Sequence, residues 1–414
     1  MFVAVIFLLV LVNQFSGIRD ANPDIYWLVS AAVVGFLLLV TKPTFSSILN
    51  EPTRAKLLLL PMVIFALYIP LVSGFGGSEL RATFKFLVIA GLIYAVYRSS
   101  ITSNDLVKIV CVVLVIQGGL FFLAFTDWAI VPLDKHYSRH GLSIANYGTI
   151  WRLAGLSFPF FVYQTLKSNN PTPSMLNLFL AVIAAAIITL DGTRTGLLIL
   201  ILGGGTATLI AIWVSAQRVR MLRALAAFIA VTLGTLYVIA VAIPGRAYAV
   251  YVISQTWHQF KHTGLTLEHL DEFRQRQLET AIAAISQRPL QGQGWLTTIS
   301  TDNYVIHNVY LQTWSDLGIL GMLIYVGIFI PAIWSAIIWF RCNSEQRHSS
   351  ENKTESDHLL LPITIVFCYL FSSMLHPIST ELTEWILIAF SLGLLIRHLT
   401  VTSIQDRLES RKYF

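Results

Sequence analysis

A run of polar side chains begins at His307, where an otherwise apolar segment starts. The residues that follow recur at four-residue spacing and would share one face of a helix: Asn308, Gln312 and Asp316. Histidine can take up or release a proton near neutral pH, and polar groups in apolar segments normally face a protein interior or a wet cavity. The stripe therefore indicates a proton-transfer site, with a packed histidine and a purely structural Asp316 as the alternatives.

Three arginines are candidates for binding phosphate, because the guanidinium group makes paired, charge-assisted hydrogen bonds and does not lose its proton. Arg194 lies in a predicted turn at residues 191–194, and Arg274 and Arg276 lie on a predicted helix over residues 271–287. Such groups would stabilise the negative charge that builds on a diphosphate leaving group. The alternatives are snorkelling of Arg194 to lipid headgroups and a solvated helix face for the other two, which cannot share one face.

The composition is that of a membrane protein. Of the 414 residues, 55% are hydrophobic and 12% are charged, and the mean hydropathy is +0.68. A helix needs about 20 apolar residues to cross the hydrocarbon core of a bilayer. We therefore predict an all-α integral membrane protein with about 12 transmembrane helices, near residues 2–16, 25–40, 55–72, 82–98, 106–125, 147–166, 175–190, 195–213, 222–243, 307–340, 358–375 and 383–399.

One long polar segment divides the chain. Residues 1–243 hold the predicted transmembrane helices 1–9, and residues 244–306 form a predicted helical periplasmic cap loop. Residues 307–399 hold helices 10–12, and residues 400–414 form a cytoplasmic tail. A loop of 63 residues is too short for a large globular core, so we expect it to lie on the membrane domain.

The basic residues predict the orientation. Sixteen of the 28 fall on the side that holds both termini, against six in short connections on the other side. The positive-inside rule then favours cytoplasmic termini and places His307 on the periplasmic side. The net charge of +6 follows from this bias, so no nucleic-acid partner is indicated.

Neither disulfide nor metal chemistry is indicated. The three cysteines lie in or beside predicted spans, and none lies in the cap loop. His258 and His262 have the spacing of a helical zinc site, but that spacing fixes no acidic third ligand. We expect no metal and no cofactor.

Four motifs follow one another along the chain. Gly-Thr-Arg-Thr-Gly occupies residues 192–196, and Arg274 precedes a Pro-Leu-Gln-Gly-Gln-Gly turn at 289–294 by fifteen residues. His-Asn-Val-Tyr-Leu-Gln occupies residues 307–312 and is followed by Leu-Gly-Ile-Leu-Gly at 317–321, whose glycines indicate close helix packing. An earlier, looser element consists of Arg139, Gly141 and Asn146.

Over about residues 139–321, these motifs resemble the O-antigen ligase and O-antigen polymerase superfamily of bacterial envelope proteins. Two positions depart from the family pattern. Leu278 stands where the family often has tryptophan, and Ala145 stands where proline is usual. Neither departure removes a proposed chemical group.

The resemblance implies a glycosyltransferase C-like membrane enzyme that takes a glycan from undecaprenyl diphosphate without a metal or a nucleotide sugar. Arg194 and Arg274 would bind the donor diphosphate. His307 would remove the proton from an acceptor hydroxyl as that hydroxyl attacks the anomeric carbon, which inverts the anomeric configuration. The supporting residues would be Arg139, Asn308, Gln312 and Asp316.

Within the superfamily we favour an O-antigen ligase of the bacterial inner membrane, acting in lipopolysaccharide biosynthesis. Its donor would be undecaprenyl diphosphate-linked O-antigen, its acceptor lipid A-core, and its surroundings membrane lipids. The alternatives are O-antigen polymerase and protein O-oligosaccharyltransferase. A transporter of lipid-linked glycan would spread charges through the spans toward the cytoplasmic side, whereas the candidate residues here cluster on the outer side.

Overall fold

The computed structural model of the protein describes residues 1–15, 21–41, 51–124, 133–136, 139–145, 148–168, 171–214, 272–297, 306–345 and 359–410, with short pieces between 222 and 234. Within these ranges, the side chains at 133–140, 171, 194, 272–274, 344–345 and 402–410 are outside the description. The predicted zinc-spaced pair His258 and His262, most of the cap loop and residues 411–414 lie outside the described residues.

The described part of the chain is almost entirely helical. In chain order the helices are α1 (Phe2–Asn13), α2 (Pro23–Thr41), α3 (Thr53–Ser73), α4 (Gly77–Arg98), α5 (Ser103–Ala124), α6 (Trp151–Lys167), α7 (Pro171–Asp191), α8 (Arg194–Leu198), α9 (Gly204–Val214), α10 (Glu272–Gln287), α11 (Val309–Gly327), α12 (Ile330–Glu345), α13 (Leu360–Ser372) and α14 (Leu382–Ser410). A π-helix at Ile199–Gly203 joins α8 to α9.

Local sequence explains several helix ends. At the start of α5, Thr102 and Asp105 form a reciprocal capping box: the Asp105 backbone N–H donates to Thr102 Oγ1 at 3.2 Å, and the Thr102 N–H donates to Asp105 Oδ2 at 2.9 Å. Gly74, at a φ of 89°, ends α3 in a conformation that suits glycine. Asn308 caps α11 by accepting a hydrogen bond from the Leu311 backbone N–H at 3.0 Å.

The helices have the length and surface of membrane spans. Among the described residues, eight helices are long and apolar enough to cross a membrane, and α1 and α13 are shorter apolar helices. Large apolar side chains cover the outside, as at Leu39, Leu71 and Leu209, which are 77%, 72% and 67% exposed. Such a surface is expected against lipid rather than water. The structure thus supports a multi-pass all-α membrane protein, whereas the count of twelve spans stays a prediction.

Two features of the fold differ from the sequence prediction. The segment predicted as one span over residues 307–340 contains two helices, α11 and α12, and α11 is itself broken at Gly318, which has a φ of 72°. A short antiparallel hairpin, β1 (Leu133–His136) with β2 (Arg139–Leu142), was not predicted. Of the predicted span 222–243, only scattered helical residues up to 234 are described.

Several turns meet at one end of the helix bundle, which we call the site end. Ser73 Oγ, after α3, accepts a hydrogen bond from the Trp295 backbone N–H at 2.6 Å. The Ser373 carbonyl, after α13, accepts one from Val309 N–H at 2.8 Å. At the opposite end, the Arg98 guanidinium pairs with Glu51 at 2.8 Å. The described turns therefore lie at two ends of the bundle, and the site end gathers the starts of α6, α8, α11 and α14.

Candidate active site

His307 lies immediately before α11 and contacts the cap helix α10. Its backbone N–H donates to Gln277 Oε1 at 3.4 Å, and its ring nitrogen Nδ1 lies 3.2 Å from the same oxygen. Gln277 is buried, whereas His307 is half-buried. The helix predicted over residues 271–287 is thus present as α10, and its Gln277 contacts the imidazole at the site end of the bundle.

One face of α10 is turned toward the membrane domain. Gln277, Ala281 and Ala284 are its buried positions, at three- and four-residue spacing. Arg274 lies three residues before Gln277 and therefore occupies the same helix face. Arg276 is exposed. The helix register separates the two arginines and puts Arg274, whose side chain is outside the description, on the face that meets His307.

The turn after α10 packs onto the break in α11. Gln293 N–H donates to the Ser315 carbonyl and Gly294 N–H to the Asp316 carbonyl, each at 2.8 Å. In return, Ile319 N–H donates to the Pro289 carbonyl at 3.0 Å. These backbone bonds explain the Pro-Leu-Gln-Gly-Gln-Gly sequence, whose glycines permit positive φ and close backbone approach. The turn fixes the position of α10 above His307.

The polar side chains of the stripe on α11 accept hydrogen bonds from backbone N–H groups. Asn308 caps the helix, Gln312 Oε1 accepts from the Ile378 N–H at 2.8 Å, and Asp316 Oδ2 accepts from the Leu296 N–H at 3.2 Å. Gln312 and Asp316 are fully buried. Gln312 and Asp316 therefore connect α11 to the segment before α14 and to the 289–297 turn, which are loops near His307.

Arg194 begins α8 directly after the turn that the sequence predicted at residues 191–194, and this turn is confirmed. Gly192 has a φ of 67°, and Thr193 Oγ1 donates to Asp191 Oδ1. The other carboxylate oxygen of Asp191, which is fully buried, accepts from the Gly148 N–H at 2.7 Å. The Asp191 carboxylate therefore ties the turn to the start of α6, while the Arg194 side chain is outside the description.

Comparison with known proteins shows which family this part of the chain is similar to. Residues 179–326 match the family described as O-antigen ligase. This part of the chain is similar to the O-antigen ligase superfamily. The resemblance is thereby confirmed, and the match supports an enzyme of glycosyltransferase type with lipid-linked polysaccharide substrates. No significant match was found among curated proteins.

The O-antigen ligase region runs from within α7 to the end of α11 and contains Arg194, Arg274 and His307. Arg139 lies outside it, on β2, where its backbone pairs with His136 and its side chain is outside the description. Asn146 of the looser motif is also outside the described residues.

Two acidic residues near the start of α14 are held by ion pairs. Glu381 lies 2.9 Å from Lys85 Nζ on α4, and Glu384 lies 2.5 Å from the Arg152 guanidinium on α6. Each pair joins α14 to another helix at the site end. Sequence spacing could not have paired these residues, because the partners lie more than 200 positions apart.

Gln277 is the residue at the site that sequence analysis missed. Its signal was its position three residues after Arg274, which places both on one helix face. Among the described side chains, no cluster of three or more His, Cys, Asp or Glu residues could hold a metal ion.

An apolar groove of about 380 Å³ opens on the lipid-facing side between α6, the π-helix, α9, α12 and α13. One wall of the groove is formed by the stretch of chain that follows Arg194 in sequence. Its lining residues include Ile199, Gly203, Ala207 and Ile210. A β-carbon on Gly203 would lie 2.8 Å from Pro159 Cγ, so the absence of a side chain lets the π-helix pack closely on α6.

Proposed function

We propose that this protein is an O-antigen ligase. It transfers O-antigen from undecaprenyl diphosphate to a hydroxyl of lipid A-core, in the bacterial inner membrane, with the active site facing the periplasm and both termini in the cytoplasm. The observation that carries the proposal is the contact of His307 with α10, whose same face bears Arg274.

The reaction is a direct displacement. His307 removes the proton from the acceptor hydroxyl, and the hydroxyl oxygen attacks the anomeric carbon of the donor. The bond from that carbon to the diphosphate oxygen breaks, and the diphosphate leaves with the electron pair. Attack opposite the leaving group inverts the anomeric configuration.

Arg194 and Arg274 bind the departing diphosphate in this proposal. Charge develops on the leaving oxygen, and fixed guanidinium donors stabilise it without a metal ion. Support comes from the fold: Arg194 begins α8 at the site end, and Arg274 lies on the α10 face that meets His307. Holding donor and acceptor in one site supplies much of the rate by proximity.

The apolar groove gives a place for the isoprenoid chain of the donor. Ile199, the first groove residue after Arg194, lies about 7.5 Å along the helix, at 1.5 Å per residue. A diphosphate at the start of α8 would therefore have its lipid chain directed along the same stretch of chain. A lipid-linked donor suits this geometry better than a soluble nucleotide sugar.

O-antigen polymerase and protein O-oligosaccharyltransferase share the same motifs and stay as alternatives. A transporter is disfavoured, because Lys85 and Arg152 in the described spans form ion pairs at the site end. Within the part of the chain that the structure describes, they do not belong to a series of charged groups that crosses the membrane. Alternating access would instead need charged groups along the path.

The test is product identity. Purified protein is mixed with undecaprenyl diphosphate-linked O-antigen and lipid A-core in the presence of chelator, and the products are separated on a gel. We expect a ladder of glycosylated lipid A-core that disappears when the acceptor is omitted. Lengthening of glycan on its own carrier would instead identify a polymerase, and no new glycosidic bond with active substrates would favour a transporter.

A further inference from the structure

The contact between Gln277 and His307 favours one tautomer of the imidazole ring. The His307 backbone N–H, 3.4 Å from Gln277, can only donate, so the amide atom facing it must be the acceptor oxygen Oε1. The same oxygen lies 3.2 Å from Nδ1, which must then be the donor. In the neutral ring this leaves the lone pair on Nε2.

We propose that Gln277 is a positioning residue that fixes His307 in the tautomer needed for general-base action. This inference rests on the proposed function. The Nε2 lone pair takes the acceptor proton as the hydroxyl oxygen forms its bond to the anomeric carbon. The imidazolium that results keeps its Nδ1–H on the Gln277 oxygen, which stabilises the new charge.

Burial and the turn after α10 hold Gln277 in place. Its side chain is 3% exposed and lies in line with Ala281 and Ala284 on the buried face of α10. The C-terminal end of α10 is fastened by Gln293, whose Nε2 donates to the Ala284 carbonyl at 3.2 Å and whose backbone N–H donates to Ser315. The turn at 289–294 thus sets the height of Gln277 above His307.

The amide nitrogen of Gln277 makes the inference testable. Gln277 Nε2 is buried and has no hydrogen-bond partner among the described residues. Replacing it with oxygen, as in Gln277→Glu, therefore loses no described hydrogen bond, and the carboxylate can accept from both N–H groups of His307. Gln277→Leu removes the acceptor, with an apolar side chain that is one bond shorter.

The experiment compares Gln277→Leu, Gln277→Glu and Gln275→Leu in the full-length protein with donor and acceptor. Gln275 is the matched control, since it is exposed on the same helix and bonds only to Glu279 in the described contacts, at 3.0 Å. We expect Gln277→Leu to lower kcat about 10–100-fold, the size of effect seen when the residue that orients a metal-ligating histidine is removed. The KM for donor should be unchanged. Gln277→Glu should recover most of kcat, and Gln275→Leu should match wild type.

A spectroscopic measurement tests the tautomer itself. The ¹⁵N resonances of histidine-labelled protein, assigned to His307 by their loss in His307→Ala, report which ring nitrogen carries hydrogen in the neutral ring. We expect the proton on Nδ1 in wild type and a tautomer mixture in Gln277→Leu. A proton on Nε2 in wild type overturns the inference even if Gln277→Leu fails to fold.

The outcomes separate this inference from the proposed function. If His307→Ala abolishes transfer while Gln277→Leu keeps wild-type kcat, only the role of Gln277 is overturned. If His307→Ala is itself fully active, the general base of the proposed function is wrong and the positioning role is overturned with it.

Discussion

Gly292 and Gly318 face each other where the turn at residues 289–294 contacts α11. A β-carbon on Gly292 would lie 2.5 Å from the backbone nitrogen of Gly318, and both residues have positive φ, 73° and 72°. The break in α11 and the turn after α10 therefore pack backbone against backbone. This contact sets the distance between the cap helix and His307.

Alanine at Gly292 should loosen the cap helix. The positive φ alone costs about 1–3 kcal/mol for a residue with a side chain, and the new methyl group would collide with the backbone of α11. We expect a lower unfolding temperature and reduced glycan transfer. Gly205→Ala is the matched control, because a β-carbon there meets no atom within 4 Å. A Gly292→Ala protein as stable as this control would contradict the docking role.

Asp316 should act through hydrogen bonding rather than through its charge. In Asp316→Asn, the side-chain oxygen can still accept from the Leu296 N–H, so we expect near wild-type transfer. Asp316→Leu removes the acceptor and leaves the partly buried Leu296 N–H without this partner, at a cost of about 1 kcal/mol. Unfolding temperature and transfer rate check both variants. A folded but inactive Asp316→Asn protein would show that the carboxylate takes part in the chemistry.

The two arginines of α10 should respond differently to lysine. Lysine keeps the charge but cannot make the paired hydrogen bonds of arginine to a diphosphate. Loss of one charge-assisted bond of about 1.5–3 kcal/mol corresponds to a roughly 10–100-fold fall in kcat/KM for Arg274→Lys. Arg276 is exposed, so Arg276→Lys should stay near wild type. Equal rates for the two variants would remove Arg274 from the diphosphate site.

Filling the apolar groove should weaken binding of long-chain donors. Ala207 lines the groove and is 6% exposed. If Ala207→Trp displaces two methylene groups of the isoprenoid chain, at about 0.8 kcal/mol each, KM should rise roughly tenfold. A donor with a short lipid should be unaffected. Leu209→Trp on the outer side of α9 is the control, and an equal rise in KM for both variants would argue against the groove.

Local patterns in the sequence were enough to predict part of the site. The turn at 191–194 was predictable because Asp, Gly and Thr interrupt a long apolar stretch, and the start of α11 because Asn308 is a strong helix cap. Gly318 and Gly321 had looked alike as packing glycines. Both pack closely: a β-carbon on Gly321 would lie 3.3 Å from Tyr68, and one on Gly318 would collide with the Leu290 carbonyl group. Gly318 in addition breaks the helix, at a φ of 72°.

The rest of the site depends on contacts between distant segments. Gln277 contacts a histidine 30 residues away, and its position on the same helix face as Arg274 does not predict which residue it contacts. The polar stripe predicted either a protein interior or a wet cavity, because polar groups in a span normally face one of the two. It could not predict that the oxygens of Gln312 and Asp316 accept from backbone N–H groups of loops that come from elsewhere in the chain.

The central claim is that His307 is the general base of a glycan transfer that follows donor binding. The most direct measurement is single-turnover transfer from a labelled undecaprenyl diphosphate-linked O-antigen to lipid A-core, by wild type and by His307→Ala, with donor binding measured in parallel. We expect the variant to bind donor with unchanged affinity and to form no glycosylated lipid A-core. Product formed by His307→Ala at the wild-type rate would contradict the claim.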